Sequence, residues 1–320
     1  MPVFNMEVPL PDVRSDGVEI VKKDCQESET HENKKVERGL LDSPWRKVDW
    51  TEESREVLVR SITSYKPSCE SVPEARVLLL GPVGAGKSSF ISSVHSVFSG
   101  SVTNRAMVGT SSTSFTHKLQ SFPIRGGESG DQPTALVLCD AMGLGEGEMT
   151  GLTLHDVLAV IKGHAPEGHK FDPEQPVRAE TVGYVKKPSA KERMHCVAFV
   201  VDATKIDSYS KNTGSTFRQL REHISDLGVH QVALLTHVDQ VCQETALDVT
   251  KVYRSRLLQH TMEKAGALLG MSLSYIVPVR NYSSELAVDE HSDTLLLCAV
   301  KHILTYVELH LQDILELKAS

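Results

Sequence analysis

Between an apolar run, Ala75 to Leu80, and an amphipathic segment beginning at Ser89 stands Gly81-Pro82-Val83-Gly84-Ala85-Gly86-Lys87-Ser88, which fits G-x-x-x-x-G-K-S. Gly81 and Gly86 let the backbone curl so that successive N–H groups point inward at phosphate oxygens, with Gly84 between them in the nucleotide-binding loop. Lys87 then reaches the β- and γ-phosphates and the Ser88 hydroxyl ligates Mg²⁺, with Ala85 and Ser89 completing the cradle. The flanks fit the motif: Arg76 to Leu80 is a short apolar strand of the buried parallel kind, and Phe90, Ile91, Val94, Val97 and Phe98 recur at helical spacing.

Downstream the pattern alternates strand and helix, as in a parallel sheet covered on both faces. Strands are predicted at Ala75 to Leu80, Leu119 to Ile124, Ala135 to Cys139, Cys196 to Val201, Gln231 to Leu235 and Tyr275 to Val279. Helices are predicted after Ser88, at Leu154 to Ile161, Thr216 to Leu227, Leu247 to Leu269 and Asp293 to Lys318. Gly126-Gly127 reads as the turn joining the second strand to the third. The expected architecture is a three-layer α/β domain of the P-loop NTPase, G-domain-like kind, over residues 74–320. A charged, polar tail over 1–43 is expected to be disordered. A helix capped by Thr51 and a linker fill 44–73, and a Pro/Gly/Lys-rich stretch at about 163–193 reads as an insertion.

Which nucleotide the loop serves is decided at the base. Thr236-His237-Val238-Asp239 follows the fifth strand and resembles the [N/T]-K-x-D motif, whose aspartate accepts from both N1–H and the exocyclic amine of guanine; adenine offers no such pair. That favours GTP. His237 stands where the motif has a lysine whose stem packs on the base. Asn281-Tyr282-Ser283 falls where GTPases place a loop backing the base. Asp140-Ala141-Met142-Gly143 fits D-x-x-G, with Asp140 holding a Mg²⁺-bound water and the Gly143 amide sensing the γ-phosphate. A switch threonine is expected shortly before the second strand, Thr113 first and Thr110 second. Leu144 follows Gly143 where Ras-like enzymes carry a water-orienting glutamine, and Val83 occupies a loop position that is glycine in Ras. Both point to slow turnover.

A formal net charge of −8 argues against wholesale nucleic-acid binding. No apolar run approaches the roughly 18 residues of a membrane span. The six cysteines are dispersed without a C-x-x-C pair and read as reduced thiols of a cytoplasmic protein. Fourteen histidines show no ligand spacing for a structural metal. In the last helix, Leu296, Val300, Ile303, Val307, Leu311 and Ile314 form one stripe, for packing on the domain or for a partner helix or homo-oligomer.

The segments Gly81 to Phe90, Val108-Gly109-Thr110, Leu138-Cys139-Asp140, His195 to Val200, Val232 to Asp239 and Asn281 to Glu285 together resemble the interferon-induced protein 44 family, including its 44-like relatives. The resemblance runs from about Trp45 to the C-terminus. It implies a cytoplasmic, interferon-inducible protein of antiviral innate immunity with a GTP-binding domain; a switch would further need a protein partner, which the sequence does not identify. Longer members carry a further N-terminal domain, which this chain is expected to lack or to replace with its tail. Two readings follow: a guanine-nucleotide switch or weak GTPase, and an interaction or assembly protein with a vestigial pocket.

Overall fold

The computed structural model describes residues 39–106, 117–126, 132–145 and 151–319. The expected tail lies almost wholly outside the described residues, as do Thr110 and Thr113. Thr51 caps α1 (Glu52–Thr63), its hydroxyl accepting from the Ser54 amide at 3.3 Å. Next come β1 (Ala75–Leu80), α2 (Lys87–Ser99), β2 (Gln120–Gly126), β3 (Gln132–Asp140), α3 (Leu154–Ile161) and β4 (Cys196–Asp202). The second half comprises α4 (Lys211–Asp226), β5 (His230–Thr236), α5 (Val238–Val241), α6 (Gln243–Leu247), α7 (Arg256–Leu269), β6 (Ile276–Pro278) and α8 (Glu290–Ala319).

The strands form one sheet in the order β2-β3-β1-β4-β5-β6. Five run parallel, and β2 returns antiparallel beside β3. Side-chain alternation divides each central strand between two cores. Leu78, Leu80, Val197, Phe199, Ala233 and Leu235 face the layer built on α3, α4 and α7. Val77, Leu79, Ala198, Val200, Val232 and Leu234 face α1, α2 and α8. Every residue of β4 is buried, which is why Cys196 to Val201 is a continuous apolar run without a polar face. The architecture is the expected three-layer α/β one, with the antiparallel edge strand as its departure from a wholly parallel sheet.

Element boundaries differ from those predicted at several places, among them two helices of the second half and β6. The single helix expected over Leu247 to Leu269 is broken, because the Asp248 carboxylate accepts from the Thr250 amide at 3.0 Å and turns the chain. Ser255 then recaps it as α7, accepting from the Leu258 amide at 3.2 Å. At β6, Tyr275 belongs to a 3₁₀ turn and the strand starts one residue later. Helix α4 begins five residues before Thr216, at Lys211, because Ser210 caps it through the Thr213 amide at 3.1 Å.

The apolar stripe of α8 is covered within the chain: Leu296, Val300, Ile303, Val307 and Leu311 are fully buried, and Ile314 packs against the same cluster. By length and composition this helix could cross a bilayer, yet most of that window is buried inside the fold. The residues between α3 and β4 form neither helix nor strand, and Lys170 makes an isolated antiparallel bridge to Lys118 just ahead of β2.

Candidate nucleotide site

The phosphate loop connects the C-terminal edge of β1 to α2, at the centre of the sheet. Gly84 and Gly86 hold φ values of +76° and +90°, a left-handed backbone that side chains rarely adopt. Gly81 is required for a different reason: a β-carbon there would lie 2.0 Å from the Val200 carbonyl oxygen of neighbouring β4.

Lys87 is buried, and its Nζ donates to the carbonyls of Gly81 and Pro82 at 3.0 Å each. Burial pushes the Lys87 pKa down, and the nearby Asp140 carboxylate partly offsets that effect. The Ser88 hydroxyl donates to Asp140 Oδ2 at 2.5 Å. D-x-x-G and the end of the phosphate loop therefore meet directly, as the parallel register of β1 against β3 requires. A hydroxyl and a carboxylate in contact are both hard oxygen donors. Among the described residues no cluster of three or more His, Cys, Asp or Glu side chains could hold a metal. That donor set fits Mg²⁺, which is usually held by one or two protein oxygens and completed by water and phosphate.

Gly143 lies against the loop, and a β-carbon on it would stand 2.8 Å from Val83 Cγ2. Leu144 bridges Pro82 on one side and Gly151 on the other. Its side chain is buried in the core cluster on the α3 face. The residue after D-x-x-G is thus a core residue.

Three segments converge on Gly86. A β-carbon at this position would meet Asn281 Nδ2 at 3.0 Å, Thr236 Cγ2 at 3.4 Å and His237 Cε1 at 3.5 Å. Asn281 Nδ2 donates to the Gly86 carbonyl at 3.2 Å. The buried Thr236 hydroxyl, at the end of β5, lies 2.7 Å from the Ala85 carbonyl of the loop and 3.0 Å from the Val201 carbonyl of β4, so its one proton is shared between them. His237 takes a left-handed φ of 56° and opens α5, placing Asp239 in the first turn of that helix. Asp239 is half-buried, and among the described residues nothing pairs with its carboxylate.

Tyr282 is the member whose side chain is turned away. Its hydroxyl donates to Asp293 Oδ1 at 2.7 Å and accepts from the Asp289 amide at 2.7 Å, anchoring the loop to the start of α8. Its amide donates to Ser93 Oγ on α2 at 2.8 Å. Ser89 sits half-buried on the first turn of α2.

Sequence reasoning passed over Asp202, the last residue of β4. Its Oδ1 accepts from the Thr204 amide at 2.9 Å and from Thr204 Oγ1 at 2.7 Å, and lies 3.2 Å from His237 Nδ1. Burial alone would raise its pKa, but the bonds from His237 and Thr204 outweigh that and hold it below the usual carboxylate range. The available signal was an aspartate closing an apolar strand just before Ala-Thr-Lys, an Asx-type cap.

Comparison with known proteins places the chain. Interferon-induced protein 44 of Pan troglodytes and of Homo sapiens are each 38% identical to it over 269 residues, 84% of this chain and 60% of theirs. Interferon-induced protein 44-like of Homo sapiens is 36% identical over 263 residues, 82% of this chain and 58% of its own. The chain belongs to the interferon-induced protein 44 family. It spans about 60% of the length of the curated relatives it matches. No family model matches. Among solved structures, the fold is similar to that of a probable GTP-binding protein engB at 10% identity, covering 73% of this chain and 98% of that one, with a TM-score of 0.36.

Proposed function

We propose that this chain binds GTP with Mg²⁺ and acts as a slow GTPase or nucleotide-dependent switch in the cytoplasm, serving antiviral innate immunity under the interferon induction that its relatives' names record. The observation that carries this reading is the convergence on Gly86, where the phosphate loop, the Thr236 to Asp239 segment and Asn281 pack together. A phosphate loop alone admits any nucleoside triphosphate. The carboxylate of Asp239, half-buried in the first turn of the helix that His237 opens, supports guanine.

In this reading the loop amides and Lys87 bind the β- and γ-phosphates, and Ser88, Asp140 and Thr113 hold the cation. Mg²⁺ neutralises charge developing between the β- and γ-phosphates. Gly143 reports the γ-phosphate through its amide, and Asn281 keeps the base-side wall closed against Gly86. Turnover is slow because the Leu144 side chain is buried in the core and cannot orient water. The expected intrinsic rate is below about one per minute, the range of an unassisted Ras-like site.

Titration with fluorescent GTP, ATP and xanthosine triphosphate analogues tests the proposal. Wild type should prefer GTP, Lys87→Ala should bind none of them, and Asp239→Asn should move the preference toward xanthine, whose C2 oxygen accepts where guanine donates. Failure of the wild type to bind any of the three would leave the assembly-protein reading in its place.

A further inference from the structure

The guanine-recognition segment carries His237 where its motif has a lysine, so the site lacks the cation whose stem covers the base. His237 is held back toward β4, its Nδ1 3.2 Å from Asp202 Oδ1 and 3.1 Å from Thr236 Oγ1. A different lysine reaches the same lip of the loop. Lys205 ends the 3₁₀ turn that follows β4, and its Nζ lies 3.8 Å from Asp202 Oδ2. A β-carbon on Gly84 would stand 3.7 Å from that Nζ. The Lys205 side chain is half-exposed, so a ligand can reach it and its stem can move.

We infer that Lys205 is the nucleotide-contacting cation of this site: it lays its stem over the bound guanine and keeps its ammonium at the Gly84 lip, taking the place that His237 vacates. The inference rests on the proposed reading that guanine nucleotide binds here. Its physical basis is that Asp202 gathers both candidate residues. The carboxylate pins His237 through Oδ1 and leaves Oδ2 in a long, half-exposed contact with Lys205, which costs little to exchange for a ligand. A lysine fixed to this turn approaches the loop from β4, one strand nearer the centre of the sheet than the motif lysine on β5 would. Gly84 admits it because a glycine leaves the outer face of the loop bare.

Equilibrium titration of fluorescent GDP and GTP against wild type, Lys205→Ala, Lys205→Arg and Lys264→Ala tests this. Lys264 supplies a charge-matched control, since its Nζ pairs with Asp207 at 2.6 Å. Lys205→Ala should weaken GDP and GTP alike by about tenfold, the scale of roughly two stem methylenes no longer buried against the base. Lys205→Arg should restore affinity, Lys264→Ala should change nothing, and the nucleotide-free melting temperature should be the same in all four proteins. Unchanged affinity in Lys205→Ala overturns the inference while leaving guanine binding intact. A loss confined to GTP also overturns it, since that would place the ammonium at the γ-phosphate. Wild type that binds neither nucleotide overturns the inference and the functional reading together.

Discussion

The backbone amide of Leu144 donates to the Gly81 carbonyl at 3.0 Å, joining the residue after D-x-x-G to the first residue of the phosphate loop. That carbonyl also accepts from Lys87 Nζ. The segment that would move in a nucleotide switch is therefore paired to the loop that would hold the phosphates, and its leading side chain is buried in the core.

Restoring a glutamine at this position should not restore hydrolysis. Leu144 is only 5% exposed, so Leu144→Gln puts an amide among apolar side chains at a cost of about 2–4 kcal/mol. The expected result is a lower urea midpoint with no gain in single-turnover GTP hydrolysis. A faster variant of unchanged stability would show that the side chain can reach the phosphate site.

Gly143→Ala is expected to disrupt the contact between D-x-x-G and the loop. The added methyl would face Val83 Cγ2 at 2.8 Å and the Val83 amide nitrogen at 2.9 Å. Destabilisation of about 1–3 kcal/mol should follow. Adding Val83→Gly should recover only part of it, because the backbone clash persists. Complete recovery in the double variant, measured by denaturant titration, would contradict this account.

Thr236 carries the bond between β5 and the loop, and its side chain is fully buried. Thr236→Val keeps the shape but leaves the Ala85 and Val201 carbonyls without this donor, costing about 1–3 kcal/mol. It should weaken GDP and GTP binding together. Thr236→Asn, the other residue the motif admits, should bind better than the valine variant. Equal affinity for the two would remove Thr236 from the loop's support.

Acid should destabilise the fold through His195, at the opposite end of β4. This side chain is 2% exposed, and its Nδ1 accepts from the Arg76 amide at 2.9 Å, a bond that a protonated ring cannot accept. Burial, with the neighbouring His310 second, brings its pKa from 6.5 down to about 4. Because the folded value lies below the unfolded one, the unfolded chain takes up the proton first as pH falls. The stabilisation is complete above about pH 6.5 and is lost progressively toward pH 4, amounting to about 3 kcal/mol for this group. His195→Gln should flatten the fall in melting temperature across that window. An unchanged slope would assign the acid sensitivity to other groups.

Much of the site could be read from the chain because its parts are local. Gly81 to Ser88, Asp140 to Gly143 and Thr236 to Asp239 each lie where an apolar strand ends, and each motif fits within eight residues. What escaped was carried by short polar signals. Ser210, Asp248 and Ser255 moved helix boundaries by capping backbone amides without a glutamate at the usual capping-box position. Asp202 belongs to no nucleotide motif, and its role comes from its two oxygens facing His237 and Lys205 across the folded chain.

The sequence by itself determined the phosphate loop, the order of strands and helices, the guanine-type motif and the resemblance to interferon-induced protein 44, because runs of neighbouring residues encode these features. Only the tertiary structure decided that Thr236 closes on Ala85 across 151 positions and Ser88 on Asp140 across 52. It also decided that Leu144 belongs to the core and that Lys205 stands at the Gly84 lip. Those pairings follow from which strands lie side by side, and strand order is settled by the packing of both cores at once, which no local pattern records.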